Sequence, residues 1–244
     1  NLPAFRAKQL QEWLWKKRAT SFDEMTSLSK EMRDLLAGHF VINALKIHKA
    51  EKSIDGTIKY SIQLHDKNFV EGVLIPSKKR ITACISSQVG CSLDCAFCAT
   101  GTLKLKRNLD AAEIYDQVFI LNEESLSNFK RPLSNIVFMG MGEPLLNYNN
   151  LLESVELITT DKGLGVSPRR ITVSTAGIAK MIKKLGDNKV RFNLAISLHT
   201  AFDSKRDVLM ALNKKVKLAE LRESIRYFYD KTGSRVTYEY ILFK

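Results

Sequence analysis

The chain has 244 residues, yet no apolar run in it approaches the roughly 18–20 residues of a membrane span. Its opening Asn1-Leu2-Pro3-Ala4 shows no secretory pattern, and nothing in the sequence resembles an amphipathic membrane anchor. Acidic residues are few beside basic ones: 26 Asp and Glu against 38 Lys and Arg, a formal net charge of +12. Such an excess favours polyanionic partners, either nucleic acid or an anionic membrane face, the alternative being a solvated basic surface with no ligand. The cations are spread over Lys16-Lys17-Arg18, Lys78-Lys79-Arg80, Lys104 to Arg107, Arg169-Arg170, Lys183-Lys184 and Lys214-Lys215. Cysteine is scarce, with four residues at 84, 91, 95 and 98. A secreted disulfide framework would spread them out; this cluster reads as a metal site in a reducing, cytoplasmic compartment. Low-complexity segments and short-period repeats are absent, and 45% hydrophobic content supports a full core.

What is present falls into three regions. Residues 1–43 read as a small helical domain. Phe5, Leu10, Trp13 and Leu14 share one helix face, and Ser21 with Glu24 has capping-box spacing for a second helix. Ser29 is placed to cap a third, with Met32, Leu35 and Leu36 inward and Gly38 ending it. Residues 44–79 read as a β-meander extension running into the strand that follows, with turns at Asp55-Gly56, Asp66-Lys67-Asn68 and Pro76-Ser77-Lys78. Residues 80–244 alternate strands and helices. Strands are predicted near Arg80–Ile85, Ser134–Met139, Arg170–Ser174, Phe192–Ser197 and Val236–Phe243. Helices are predicted near Asp110–Leu121, Asn149–Thr160, Gly177–Leu185 and Lys217–Tyr229. Repeated βα units imply an α/β fold with a parallel sheet, doubly wound or curled into a full or partial barrel.

Four successive strands carry unusual residues at their C-terminal ends, the edge where ligands bind in such folds. These are the Cys91–Cys98 loop, Gly140-Met141-Gly142-Glu143-Pro144, Ser174-Thr175-Ala176-Gly177 and Ser197-Leu198-His199. Cys91-x3-Cys95-x2-Cys98 offers three thiolates, which suit an iron–sulfur cluster or zinc. A structural zinc wants four protein ligands, and the loop holds no fourth Cys or His. Three ligands leave one iron of a [4Fe–4S] cluster open for a substrate. Cys84 alternates against Ile81, Ala83 and Ile85, so it faces the other side of its strand; from the pattern alone it is either a buried cysteine or a functional one. His199 reads equally as a hydrogen-bonded residue closing a strand, and Glu71 as an exposed meander residue.

The cysteine spacing, with Phe97 before the last cysteine, resembles the radical SAM superfamily, and Gly142-Glu143-Pro144 resembles its GGEP-type motif. Ile85-Ser86-Ser87-Gln88-Val89-Gly90-Cys91, Cys95-Ala96-Phe97-Cys98-Ala99-Thr100-Gly101, Lys106-Arg107-Asn108-Leu109, Met139 to Pro144 and Ser197-Leu198-His199 together resemble the RlmN/Cfr family. The Phe5-Arg6-Ala7-Lys8-Gln9-Leu10 helix and Ser21-Phe22-Asp23-Glu24-Met25 resemble that family's RNA-binding domain. The resemblance implies a partial (β/α)6 TIM-like barrel and radical methylation of adenosine C2 in 23S rRNA and tRNA. It implies a [4Fe–4S] cluster on Cys91, Cys95 and Cys98. Contacts to S-adenosyl-L-methionine would come from Gly142, Glu143, Ser174, Ser197, Leu198 and His199. Glu71 would accept a proton, and Cys84 would resolve a covalent enzyme–RNA intermediate by forming a disulfide with a methyl-carrying cysteine. An electron donor such as flavodoxin and a monomeric state are expected. Alternatives are a Cfr-like adenosine C8 methyltransferase and a non-catalytic, metal-stabilised RNA-binding module. No cysteine follows Cys98, so the methyl-carrying cysteine is expected beyond Lys244, in a chain cut short and unable to complete methyl transfer.

Overall fold

The structure is a computed structural model that describes residues 3–242. The expectation for Val236–Phe243 reaches Phe243, outside the described residues.

The N-terminal region holds α1 (Ala4–Gln11), a π-helical turn at Glu12–Lys16, a short 3₁₀ turn at Phe22–Glu24 and α2 (Lys30–His39). Leu10, Trp13, Leu14, Met32 and Leu36 pack on a small core of Ala19, Met25 and Leu28. Phe5, which shares its helix face with Leu10, Trp13 and Leu14, and Leu35, expected inward, are about half exposed. The Ser21–Glu24 pair does not form a capping box: the Glu24 carboxylate accepts from the Thr20 hydroxyl (2.7 Å) and more distantly from the Ser21 hydroxyl (3.3 Å), Ser21 caps no N–H, and only one 3₁₀ turn follows. Ser29 does cap α2, accepting from the Met32 N–H. That helix runs through Gly38 and stops where Phe40 turns extended.

This appendage is bolted to the rest through Arg18, whose left-handed backbone (φ 51°) ends the helical run. Its guanidinium grips both oxygens of Asp116 at 2.5 and 3.1 Å and the Leu45 carbonyl at 2.7 Å. Asp116 also accepts from the Leu45 N–H at 2.7 Å. Nearby, the Tyr115 hydroxyl donates to the Trp15 carbonyl, and the two rings meet edge to face.

The meander is β1 (Lys46–Lys52), β2 (Ile58–Gln63), β3 (Phe69–Pro76) and β4 (Ile81–Cys84), all antiparallel neighbours. Its turns follow the expected chemistry: Gly56 (φ 87°) and Lys67 (φ 63°) take left-handed conformations, while Asp55 and Asp66 accept from the N–H two residues on. β5 (Gln88–Val89) and β6 (Arg107–Asn108) then pair as a small separate ribbon. The βα units follow: α3 (Ala111–Phe129), β7 (Asn135–Phe138), α4 (Tyr148–Thr159), β8 (Ile171–Thr175), α5 (Ala179–Asp187), β9 (Asn193–Ser197), α6 (Asp203–Leu209), α7 (Leu218–Thr232) and β10 (Val236–Glu239). One eight-stranded sheet results, in the order β1-β2-β3-β4-β7-β8-β9-β10, parallel from β4 onward.

α3 begins at a complete Asp110/Glu113 capping box and extends eight residues past the expected Leu121, ending at left-handed Lys130. Its last turns hold polar partners that periodicity does not register: Glu124 accepts from the Tyr60 hydroxyl and buried Ser125 donates to the Arg131 carbonyl. α6 was not expected, since its one buried residue is a cation, Arg206. Ile81, Ala83, Ile85, Ile136, Phe138, Ile171, Val173, Leu194 and Ile196 are buried on one sheet face, in a single core with the apolar sides of α3, α4, α5 and α7. The registers place Cys84, Val137, Thr172, Ser174, Ser197 and Glu239 on the other face, away from the core that the described helices share.

Candidate active site

The loop after β5 carries the three clustered cysteines, and backbone bonds fix its path. Cys91 N–H donates to Leu103 O, Cys98 N–H to Cys95 O, and Ala96 N–H to Leu209 O; Cys95 also bridges to Met210 just past α6. Asp94 takes a left-handed turn (φ 44°) between the first two thiols. Behind the loop lies a buried polar frame. Gln117 accepts from Ser86 N–H and donates to Ser86 O. Ser86 donates to Glu71 O and accepts from Met141 N–H. Asn147 donates to Ser87 O and Leu109 O. These bonds lock the end of β4 to α3 and to the glycine-rich loop after β7.

In that loop Gly142 adopts φ 95°, and a Cβ there would lie 2.4 Å from Gln88 Cβ. Only glycine meets both demands, which explains the residue type at this position. The next residue, Glu143, is buried; its carboxylate accepts from Leu145 N–H (3.0 Å) and Ala176 N–H (2.7 Å), tying the β7 and β8 loops together. Burial pushes its pKa up, while the backbone donors oppose the shift.

A cavity of about 570 Å³ opens at these strand ends. Among the residues expected to form the site, it brings together Cys91, Cys95, Cys98, Gly142, Glu143, Ser174, Ser197 and His199. Phe97, Met139 and Met210 give it apolar walls. The cysteine thiols are half-buried; burial raises Cys91 and pushes Cys95 up to about 11, with the neighbouring thiols and Glu143 adding to the shift. His199 is 5% exposed, sits at φ 58°, and has neither ring nitrogen hydrogen-bonded. Its ring packs edge-on to Phe97 at 4.4 Å. It is therefore not the satisfied strand-closing histidine of the alternative reading. Burial lowers its pKa, keeping the ring neutral at pH 7.

Three expected residues lie outside the cavity lining. Cys84 is on the sheet face away from that core, as its alternation implied, and burial pushes its thiol up to about 11, with Glu239 and Glu71 adding negative potential. Glu71 is half-exposed and pairs with Lys59 at 3.0 Å. Leu198 contributes backbone: its N–H donates to Glu239 O and its carbonyl accepts from Arg206. All four cysteines are free thiols.

Two participants were missed from sequence. Glu239 lines the cavity and accepts from the Ser174 hydroxyl (2.8 Å) and the Ser197 hydroxyl (3.3 Å). The only sequence signal was an acid at strand period from Thr237. Arg206 is fully buried and donates to four neutral acceptors: Ala176 O (2.7 Å), Asn213 Oδ1 (2.9 Å), Ser197 O (3.0 Å) and Leu198 O (3.3 Å). It ties the ends of β8 and β9 beneath the cysteine loop.

The three thiols lining one cavity are the donor type of an iron–sulfur cluster or of zinc. Among the described residues no three His, Cys, Asp or Glu side chains converge to hold one metal ion. A four-iron cluster spreads its ligand positions over separate irons, so three thiols around one cavity suffice. The likeness to known proteins points the same way. The Radical SAM superfamily profile matches residues 85–244, and that of the ribosomal RNA large subunit methyltransferase N-terminal domain matches residues 2–42. A probable dual-specificity RNA methyltransferase RlmN of Flavobacterium psychrophilum is 56% identical over 241 residues, covering 99% of this chain and 70% of that protein. A protein of the same description from Christiangramia forsetii is 57% identical, covering 99% of this chain and 68% of its own length. The crystal structure of a radical SAM methyltransferase from Sphaerobacter thermophilus superposes with a TM-score of 0.91 at 38% identity, covering 99% of this chain and 71% of that one. The likeness thus runs through both the helical appendage and the cysteine-bearing barrel, and the chain belongs to the RlmN family of the radical SAM superfamily.

Proposed function

We propose that the chain acts in methylation of adenosine C2 in 23S rRNA and tRNA, with a [4Fe–4S] cluster on Cys91, Cys95 and Cys98 and S-adenosyl-L-methionine in the cavity beside it. The observation that carries this reading is the single cavity that gathers three thiols, the Gly142-Glu143 edge, two serine hydroxyls and an unpartnered buried histidine. Bound there, the cluster and S-adenosyl-L-methionine supply one-electron cleavage of a carbon–sulfur bond, which reaches a ring carbon that ordinary methyl transfer does not.

The chain's own residues prepare for that ligand. Gly142 lets the backbone come close, and the fixed Glu143 carboxylate keeps lone pairs for an amino group. Ser174 and Ser197, aimed by Glu239, present oxygens along the strand ends. Phe97, Met139 and Met210 exclude water from one wall. Cys84, a neutral thiol at pH 7, waits on the same sheet face as the resolving cysteine, and Glu71 sits by Ser86 at the end of β4 as proton acceptor. The adenine must be unstacked to reach a barrel mouth.

Leu198 takes part through its backbone. No described helix is long and apolar enough to cross a membrane. A cytoplasmic setting, a flavodoxin-type reductant and a monomeric state complete the proposal; thiol ligands that require reducing conditions support the first of these. Anaerobic reconstitution with iron and sulfide, followed by EPR with and without S-adenosyl-L-methionine, tests it. A low-spin cluster signal that shifts on adding S-adenosyl-L-methionine is expected; protein free of iron and acid-labile sulfide after reconstitution would overturn it.

A further inference from the structure

The opposite end of the barrel holds a second cavity, also about 570 Å³, of different chemistry. Lys79 and Arg80 in the β3–β4 turn, Arg169 and Arg170 leading into β8, and Arg235 leading into β10 surround it. Its floor is Ser134, Asn135, Thr172, Asn193 and Thr237, all at strand beginnings. No carboxylate lines it, and among the described residues none of these five cations has an ion-pair partner.

A solvated basic surface would scatter its charges. Here five line one hollow with no carboxylate among them, a concentration of one sign of charge that attracts an anion. Barrels of this kind fill their interiors with layers of branched apolar side chains. This mouth instead presents amides and hydroxyls, of which those of Asn135 and Thr172 are donors suited to phosphate oxygens. The floor is also held in place: Asn193 donates to Arg169 O (2.8 Å), and Ser134 both donates to and accepts from the Ile81 backbone. Four of the five cations are arginine, whose planar fork matches phosphate bidentately.

We propose that this mouth seats backbone phosphates of the RNA substrate, anchoring it away from the reacting base. The proposal rests on the RNA methyltransferase reading above and adds where the RNA is held. β8 has five residues, so the two mouths lie roughly 16 Å apart at about 3.3 Å per residue. A nucleic-acid duplex carries one charge per about 1.7 Å of axis, so a folded RNA lying along the barrel presents on the order of ten phosphates over that span. The contacts would hold position without reading sequence.

The test is fluorescence anisotropy of a labelled tRNA transcript against salt concentration, using the full 244-residue chain. The mouth variant Arg80→Gln/Arg169→Gln/Arg170→Gln is compared with Lys180→Gln/Arg222→Gln/Arg226→Gln on the exposed surfaces of α5 and α7, which removes equal charge. All six are exposed, so folding is checked simply by matching circular dichroism melts. The mouth variant is expected to bind at least tenfold more weakly than the control. Its plot of log affinity against log salt should be shallower by about two, from roughly 0.7–0.9 per lost phosphate contact. Equal affinity and slope in the two variants would overturn the assignment. So would tripolyphosphate binding that is lost in the mouth variant while its RNA affinity stays at the control value, since the mouth would then serve a small polyanion. If the unaltered chain binds no tRNA, the methyltransferase reading falls as well; if it binds and the variants match, only the mouth assignment falls.

Discussion

Replacing Arg206 by Met removes the one fully buried guanidinium among the described residues and tests what holds the catalytic mouth together. The methionine fills similar space but leaves Ala176 O, Ser197 O, Leu198 O and Asn213 Oδ1 without their donor. Each buried acceptor so stranded costs about 1–3 kcal/mol. Removing the cation returns part of this, because a buried charge with no carboxylate partner carries a desolvation penalty of several kcal/mol. The net expectation is a loss of about 3–5 kcal/mol, the range for breaking a buried charged network. For a chain of 150–250 residues each kcal/mol shifts Tm by about 2–4 °C, so the expected drop is on the order of 6–20 °C. Arg206→Lys keeps the charge but offers no planar fork, and should recover no more than about half of the loss. Thermal unfolding by circular dichroism on the apo-protein provides the readout, with iron content after reconstitution as a second one. Because Met210 N–H donates to Arg206 O and Met210 bridges to Cys95, iron retention should fall with stability. A Met variant melting within about 2 °C of the parent would refute the claim that these four bonds brace the site.

Cys84 should alkylate slowly: with its thiol pushed up to about 11 from 9.0, the thiolate fraction at pH 8 is about a hundredfold lower than that of an ordinary cysteine, and peptide mass spectrometry after iodoacetamide pulses at pH 7–10 measures it. The folded state holds this proton more tightly than the unfolded chain, so the associated stability is intact below about pH 9 and is lost as pH rises through about 11; Cys84→Ala should flatten that limb of a stability–pH curve. Gly142→Ala should cost about 2–4 kcal/mol, combining left-handed strain with overlap against Gln88, and should lower the denaturant midpoint without changing its slope. Asp116→Ala, which strands the Arg18 guanidinium and the Leu45 N–H, should expose the 19–45 segment to limited proteolysis while leaving the barrel core resistant; a cleavage pattern identical to the parent would show that the appendage is held by other contacts.

The parts of the fold that were legible in the sequence are those in which one residue type repeats at the period of its element. The parallel strands showed as short apolar runs because their helix-facing residues, such as Ile136, Val173 and Ile196, are fully buried. The cysteine loop was legible because three thiols at fixed spacing leave few chemical options. What stayed hidden was written in partners distant along the chain. α6 has no apolar periodicity because its buried residue is Arg206, whose acceptors lie 7 to 30 residues away. The Ser21–Glu24 pattern misled because Thr20, one residue earlier, competes for the same carboxylate. Local pattern holds no information on either competition.

Glu239 shows the limit most sharply, and its cause is geometric. A polar residue at period two in a strand ordinarily marks the solvent side, and Thr237 with Glu239 satisfies that reading. In a sheet that curls into a partial barrel, the face turned away from the helices is the concave one. Polar side chains there meet each other across strands rather than water, which is why Ser174 on β8, Ser197 on β9 and Glu239 on β10 end in one hydrogen-bonded set. The alternation that positions the core on one side therefore positions the site on the other. Strand periodicity shows which residues share that face, and only the register between strands shows which of them touch.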